Sequence, residues 1–199
     1  MRDKAFAKIN LCLEVGPTRS DGYHDLRMVM IPVDFFDVVE LEVAEKDELI
    51  ANRNFIPLNE NNTMYKALSL LRKKYGFNEC FRMKLQKQIP VRAGLAGGSA
   101  DAASIIRLVN RLLGLKMSRQ EMIDVALEVG SDVPFCLFNE PCVVEGKGEI
   151  LSPIEVNLDF HLLLAKPKAG VSTKLLNLTK KLMWLFLIST KKRSALLSA

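Results

Sequence analysis

The chain has no long hydrophobic run. Its longest, Leu182 to Ile188, is seven residues, far short of the roughly 20 that a membrane-spanning helix needs. The opening MRDKAFAKIN lacks the apolar centre of a secretion signal. Four cysteines occur, Cys12, Cys80, Cys136 and Cys142, and no two form C-x-x-C. That spacing argues against a disulfide or zinc framework. Cys12, Cys136 and Cys142 sit among apolar neighbours and read as small buried hydrophobes in a reducing compartment, so a cytoplasmic protein is expected, with no membrane partner. There is no internal repeat and no flexible linker. Acid is missing from one end: after Asp159 there is no Asp or Glu, against eight Lys and Arg. The net charge of +5 is therefore a property of the tail, since the first 159 residues set all 23 acids against the remaining Lys and Arg and are net negative. With no interleaving of basic and aromatic residues either, nucleic acid is not an expected partner.

What is present suits a soluble globular protein. At 199 residues and 49% apolar content, the chain holds one domain with a proper core, or one domain and part of another. Residues 4–15 alternate, with Ala5, Ala7, Ile9, Leu11, Leu13 and Val15 on one face of a strand and Phe6, Lys8, Asn10, Cys12 and Glu14 on the other. Gly16-Pro17 ends it, and Ser20-Asp21-Gly22 is turn chemistry. Val38, Leu41 and Val43 suggest a second strand. Residues 63–75 read as a helix with a Met64, Ala67, Leu68, Leu71 stripe and Gly76 as cap. Phe81, Met83, Leu85 and Ile89 fall mostly at period two. Ser118 and Glu121 form a capping-box pattern opening a helix to Val129. Residues 142–145 and 160–165 read as short strands. Strands and helices without regular alternation suggest α+β.

The most informative stretch is PVRAGLAGGSADAAS, from Pro90 to Ser104. Small residues stand where a strand hands over to a helix, expected to begin near Asp101. A glycine loop opening a helix exposes unpaired N–H groups and the positive end of the helix dipole, which is the physics of a phosphate cradle. It is neither a P-loop, since no Lys follows Gly98, nor a dinucleotide fingerprint, since the spacing is Gly94, two residues, Gly97-Gly98. A tight turn that simply needs glycine fits the loop equally well.

Three smaller clusters stand out. Lys8 and Asn10 share a strand face, the competing explanation for the lysine being an edge-strand gatekeeper. Asp21-Gly22-Tyr23-His24 puts two rings after a turn, which taken alone is a surface turn. Gly130-Ser131-Asp132-Val133-Pro134-Phe135 offers a carboxylate either to its own turn backbone or to a proton near the loop.

Taken in order, AKINLCLEV, RSDGYHDL, ENNTMYKAL, the glycine loop, GSDVPFCL, EGKGEIL and KPKAGVST, over about residues 5–173, resemble the GHMP kinase superfamily. Within it they resemble the branch that acts on a cytidine diphosphate-linked methylerythritol. The resemblance implies that family's N-terminal α+β domain, of ribosomal-protein-like fold, over residues 1–160. It leaves 161–199 as the start of a second domain plus an atypical basic and apolar tail, most of that second domain being expected to be missing. It implies Lys8 and Asp132 as the catalytic pair, and Asn10, Tyr23 and His24 as substrate-binding residues, the two rings around the cytosine. It implies Asn62 and Lys87 near the adenine of ATP. Pro90, Val91, Arg92, Ala93, Gly94, Leu95, Ala96, Gly97, Gly98, Ser99 and Ala100 become the ATP phosphate loop. The implied cofactors are ATP and Mg²⁺, with no dedicated protein metal site. The implied reaction is phosphorylation of the carbon-2 hydroxyl in isoprenoid precursor synthesis. An inert nucleotide-binding fragment and another small-molecule kinase of the superfamily are the alternatives.

Overall fold

A computed structural model of the chain describes residues 1–18, 24–156, 161–164 and 187–189. The chain divides into two units, Met1–Ile154 and Glu155–Ala199. In the second, β7 (His161–Leu163) and β8 (Leu187–Ser189) pair antiparallel. The strand expected over 160–165 is present there as β7, and the rest of that tail, Trp184 included, lies outside the described residues.

The first unit is built on one long strand. β1 (Arg2–Thr18) runs antiparallel to β2 (His24–Ala44) along one edge of β2. On the other edge, the C-terminal half of β2 pairs with β4 (Cys80–Gln86) and its N-terminal half with β5 (Cys142–Gly146). β3 (Glu48–Ala51) lies parallel to β4, and β6 (Ile150–Pro153) closes the far side on β5. The connection between the parallel pair carries α1 (Thr63–Tyr75). It is followed by α2 (Gly97–Leu113), α3 (Arg119–Val129) and α4 (Val133–Phe138). α2 packs on β1, β2 and the other three helices, and nine of its residues are buried. The mixture is α+β, as the sequence implied.

Local chemistry sets the helix ends. Asn62 caps α1, Gly76 closes it in the left-handed region (φ 68), and Met64, Ala67, Leu68 and Leu71 are its buried stripe. Ser118 and Glu121 make the full reciprocal capping box of α3. α2 begins at Gly97 rather than near Asp101, because Ala96 adopts the left-handed conformation that turns the chain into the helix four residues earlier.

The strands depart more from their patterns. Ala5, Ala7 and Ile9 are buried, but Leu11, Leu13 and Val15 of the expected face are exposed. Cys12 is exposed as well, not buried. The register of β1 shifts between Phe6 and Lys8, between Asn10 and Cys12, and again before Thr18. The first shift places its extra residues on β2 and the later two place one each on β1; residues 11–15 are exposed on both faces, so this end of β1 runs on past the core. On β2 Val38 and Leu41 are buried as expected, Asp37 and Val39 are buried with them so that both faces are covered there, and Val43 is exposed. Phe81, Met83 and Leu85 of β4 lie in the core with Phe135 of α4 and Ile105 and Ile106 of α2. Each such side chain contributes about 1.5–3 kcal/mol through burial.

Candidate active site

The segment between β4 and α2 is an unusual piece of backbone. Arg92, Gly94 and Ala96 have positive φ (52, 71 and 55°) while the residues between them do not. That alternation turns successive N–H groups into one concavity, a form suited to anions. Ala96, at the N-cap of α2, offers no side-chain hydrogen bond. The first helical bond runs from Ala100 N–H to the Ala96 carbonyl at 2.9 Å, so the N–H groups of Gly97, Gly98 and Ser99 precede the ladder and stand at the positive end of the dipole.

The loop is tied on three sides. Lys8 N–H donates to the Leu95 carbonyl at 3.1 Å. The Thr63 hydroxyl, at the start of α1, donates to the Gly98 carbonyl at 2.7 Å. From beneath, a Cβ placed on Gly97 would stand 2.8 Å from Lys87 Nζ and 2.9 Å from Ile89 Cγ2. Glycine is needed here because side chains already fill the floor.

Lys87 is held inside the fold by two acids. Its side chain is 4% exposed and lies between two carboxylates, Asp37 Oδ2 at 2.5 Å and Asp101 Oδ2 at 2.6 Å, themselves 0% and 5% exposed. Asp37 Oδ1 also accepts the N–H groups of Gln88 and Ile89 at 2.5 and 2.8 Å. Burial pushes the Asp101 carboxyl up to about 8, with Lys87 opposing and Asp37 reinforcing the rise. Asn62 is likewise engaged: Oδ1 accepts Met64 N–H and Nδ2 donates to the Pro57 carbonyl, both at 2.9 Å. It stands next to Thr63 and so at the edge of the loop, with its amide given to the cap.

Lys8 and Asp132 meet. Lys8 Nζ is 3.5 Å from Asp132 Oδ2, the lysine side chain 7% and the aspartate 36% exposed. A buried ammonium rules out the solvated gatekeeper. Nζ also donates to Asn10 Oδ1 at 3.2 Å. Asp132 occupies the N-cap of α4 without making a side-chain cap bond, which leaves its oxygens facing Lys8 and solvent. Behind it, Gly148 has φ 115°, and a Cβ there would run into the Ser131 carbonyl. The EGKG turn is therefore pressed against the residue preceding Asp132. Cys136, one turn along α4, stays a neutral thiol: burial first, then the Asp132 charge, pushes it up to about 12.

Arg107 holds the two partners' elements together. From α2 it donates to the Cys136 and Leu137 carbonyls of α4 at 2.5 and 3.0 Å and to the Lys4 carbonyl of β1 at 3.3 Å. It also pairs with Asp3 at 2.8 Å. Sequence reasoning did not find Arg107, Asp37 or Thr63. A signal existed for Asp37, an acid in step with Val39 and Leu41. None existed for Arg107, whose partners are about 30 and 100 residues distant. Of the substrate-site expectations, Tyr23 lies outside the described residues. His24 opens β2 opposite Thr18, and Asn10 stands beside Lys8. Among the described residues no group of three or more His, Cys, Asp or Glu could hold a metal, and no helix is long and apolar enough to cross a membrane.

Residues 62–140 match the GHMP kinases N terminal domain. The chain is 42% identical over 173 residues to the 4-diphosphocytidyl-2-C-methyl-D-erythritol kinase of Caldicellulosiruptor saccharolyticus, covering 86% of this chain and 60% of that one. It is 44% identical over 171 residues to the enzyme of that name in Thermoanaerobacter pseudethanolicus, covering 86% and 59%. A crystal structure of 4-(cytidine 5'-diphospho)-2C-methyl-D-erythritol kinase superposes with TM-score 0.74 at 31% identity, over 88% of this chain and 63% of that one. The Methanococcus jannaschii mevalonate kinase shares the fold alone, at TM-score 0.65 and 18% identity. The chain thus spans about three-fifths of the length of the relatives it matches. It carries a GHMP kinase N-terminal domain and, over the stretch it shares with them, is a relative of the 4-diphosphocytidyl-2-C-methyl-D-erythritol kinases.

Proposed function

We propose that this chain carries the ATP-binding and phosphoryl-transfer residues of a cytoplasmic small-molecule kinase. Its substrate is 4-diphosphocytidyl-2-C-methyl-D-erythritol, phosphorylated on the carbon-2 hydroxyl in isoprenoid precursor synthesis. The observation that carries the reading is the Lys8–Asp132 pair, hydrogen-bonded through the Lys8 backbone to a glycine loop that opens a helix.

Phosphoryl transfer needs positioning and charge stabilisation more than covalent chemistry. In this reading the Gly94–Ser99 loop and the α2 dipole bind the phosphates of ATP. The half-exposed Asp132 accepts the proton of the substrate hydroxyl as its oxygen bonds to the γ-phosphorus. The bond from that phosphorus to the bridging oxygen breaks and ADP leaves. Lys8, buried beside the aspartate, opposes the charge gathering on the transferring group. Asn10 orients Lys8 and borders the acceptor, and Tyr23 and His24 are assigned to the cytosine. Mg²⁺ brought in with ATP would neutralise phosphate charge and would suit a site without a protein cage, such as this one.

The test is incubation of the 199-residue chain with ATP, Mg²⁺ and the diphosphocytidyl substrate, following ADP and phosphorylated product. Turnover that falls by about 10²–10⁴ in Lys8→Met or Asp132→Asn supports the reading. ATP binding without turnover marks a nucleotide-binding module, and neither binding nor turnover overturns the proposal.

A further inference from the structure

Three ionisable groups with almost no solvent contact lie directly under the loop, and the transfer chemistry above uses none of them. Asp37 comes from β2, Lys87 from the segment leaving β4, and Asp101 from the second turn of α2. Lys87 Nζ bridges the two carboxylates, and the same ammonium limits the space below Gly97. Asp37 adds two backbone bonds that fix Gln88 and Ile89, the residues that lead into the loop. The network therefore sets the height of the loop relative to both sheet and helix.

We propose that Lys87 is a positioning residue for the phosphate loop, its ammonium, clamped by Asp37 and Asp101, propping Gly97 from below and keeping the floor of the cradle free of net negative charge.

The charge count gives this a distinctive consequence. Two ionised carboxylates against one ammonium would leave a net negative charge beneath a site for a triphosphate. One retained proton cancels it. Asp101 is the group that holds the proton: burial raises it to about 8, and its Oδ1 is buried without a hydrogen-bond partner, an arrangement costly for an ionised carboxylate. The groups acting on Asp101 are Lys87 and Asp37; from α4 the Cys136 thiol faces it and remains neutral. Above about pH 8 the floor becomes anionic and nucleotide binding weakens. By linkage, the factor by which affinity falls equals the factor by which bound nucleotide holds the proton on Asp101.

The inference rests on the phosphate-loop reading, so the experiment has two readouts. The first is equilibrium binding of ATP with Mg²⁺ from pH 7 to 9 for the full chain, Asp101→Asn, and Lys87→Met in the Asp101→Asn background, which avoids stranding two buried carboxylates. The expected result is an affinity that falls roughly tenfold in the natural chain, one unit of proton linkage. The fall should be absent in Asp101→Asn, and the double variant should bind more weakly than Asp101→Asn at every pH. Equal pH profiles for the natural chain and Asp101→Asn, or unchanged affinity in the double variant, overturn it. The second readout is amide hydrogen exchange of residues 96–100 without nucleotide, normalised to intrinsic rates. Loop protection that drops through pH 8 only in the natural chain supports the proposal even if ATP fails to bind. Protection independent of pH and of Lys87 overturns it, whatever becomes of the kinase reading.

Discussion

The backbone N–H of Lys8 donates to the carbonyl of Leu95. The strand that carries the buried ammonium and the loop that offers its N–H groups are thus one hydrogen-bonded piece. A shift in either moves the other, and about 1 Å of displacement can cost a hundredfold in a reaction that depends on near-attack geometry.

Adjacent glycines should respond in opposite ways. A methyl on Gly97 meets Lys87 Nζ and Ile89, whereas one on Gly98 has only the Thr63 hydroxyl within 4 Å, at 3.5 Å. Gly97→Ala should lose about 1–3 kcal/mol to overpacking. Gly98→Ala should be neutral or gain up to about 1 kcal/mol from helix propensity. Urea unfolding of the two variants checks the pair of signs.

Folding stability should carry the mark of Asp101. Its carboxyl titrates near 3.8 when unfolded and near 8 when folded. Between those values the folded chain holds a proton that the unfolded chain has released. Stability from this group is full below pH 4 and declines as pH rises toward 8, by at most about 1.4 kcal/mol per pH unit for one proton. Denaturation midpoints measured across pH 5–8 should therefore decline less in Asp101→Asn. Parallel curves for variant and natural chain would show that Asp101 is ionised in the fold.

Arg107 should matter through geometry, not charge alone. Arg107→Met leaves Asp3, 17% exposed, with Arg111 as its remaining partner and two α4 carbonyls without a donor, at a cost of about 1–3 kcal/mol. Arg107→Lys restores one charge but not the fork that reaches α4 and β1 together. Both variants should lower turnover with little change in the ATP concentration needed for half-maximal rate. A large rise in that concentration with turnover intact would contradict a role confined to the pair.

Gly148 should tolerate no side chain. Gly148→Ala combines a left-handed φ of 115° with a collision at the Ser131 carbonyl. Loss of about 1–3 kcal/mol should accompany altered amide shifts at Ser131 and Asp132. Unchanged shifts there would disconnect the EGKG turn from the carboxylate.

Helix chemistry was legible because it is local: the Ser118–Glu121 box, the Asn62–Gly76 limits and the Met64–Leu71 stripe each lie within a few residues. The strands were less so. β1 runs on past the core, so that Leu11, Leu13 and Val15 are exposed along with Cys12 and Glu14 while Lys8 stays inside, and an alternating pattern does not tell where along a strand the core stops. The site was legible where its residues are near a recognisable turn, as at Gly94–Ser99 and Asp132. It was hidden where a side chain reaches across the fold. Lys87 looks like any strand-end lysine until Asp37 and Asp101, 50 and 14 residues away, close on it.

The most direct test of the account is an amide chemical-shift titration of the chain with ATP and Mg²⁺. The account predicts saturable shifts concentrated at Gly94, Gly97, Gly98 and Ser99, extending to Lys8 and Asp132, and strongly weakened in Gly97→Val. Saturable binding whose shifts lie elsewhere, with the loop amides unmoved, would contradict it.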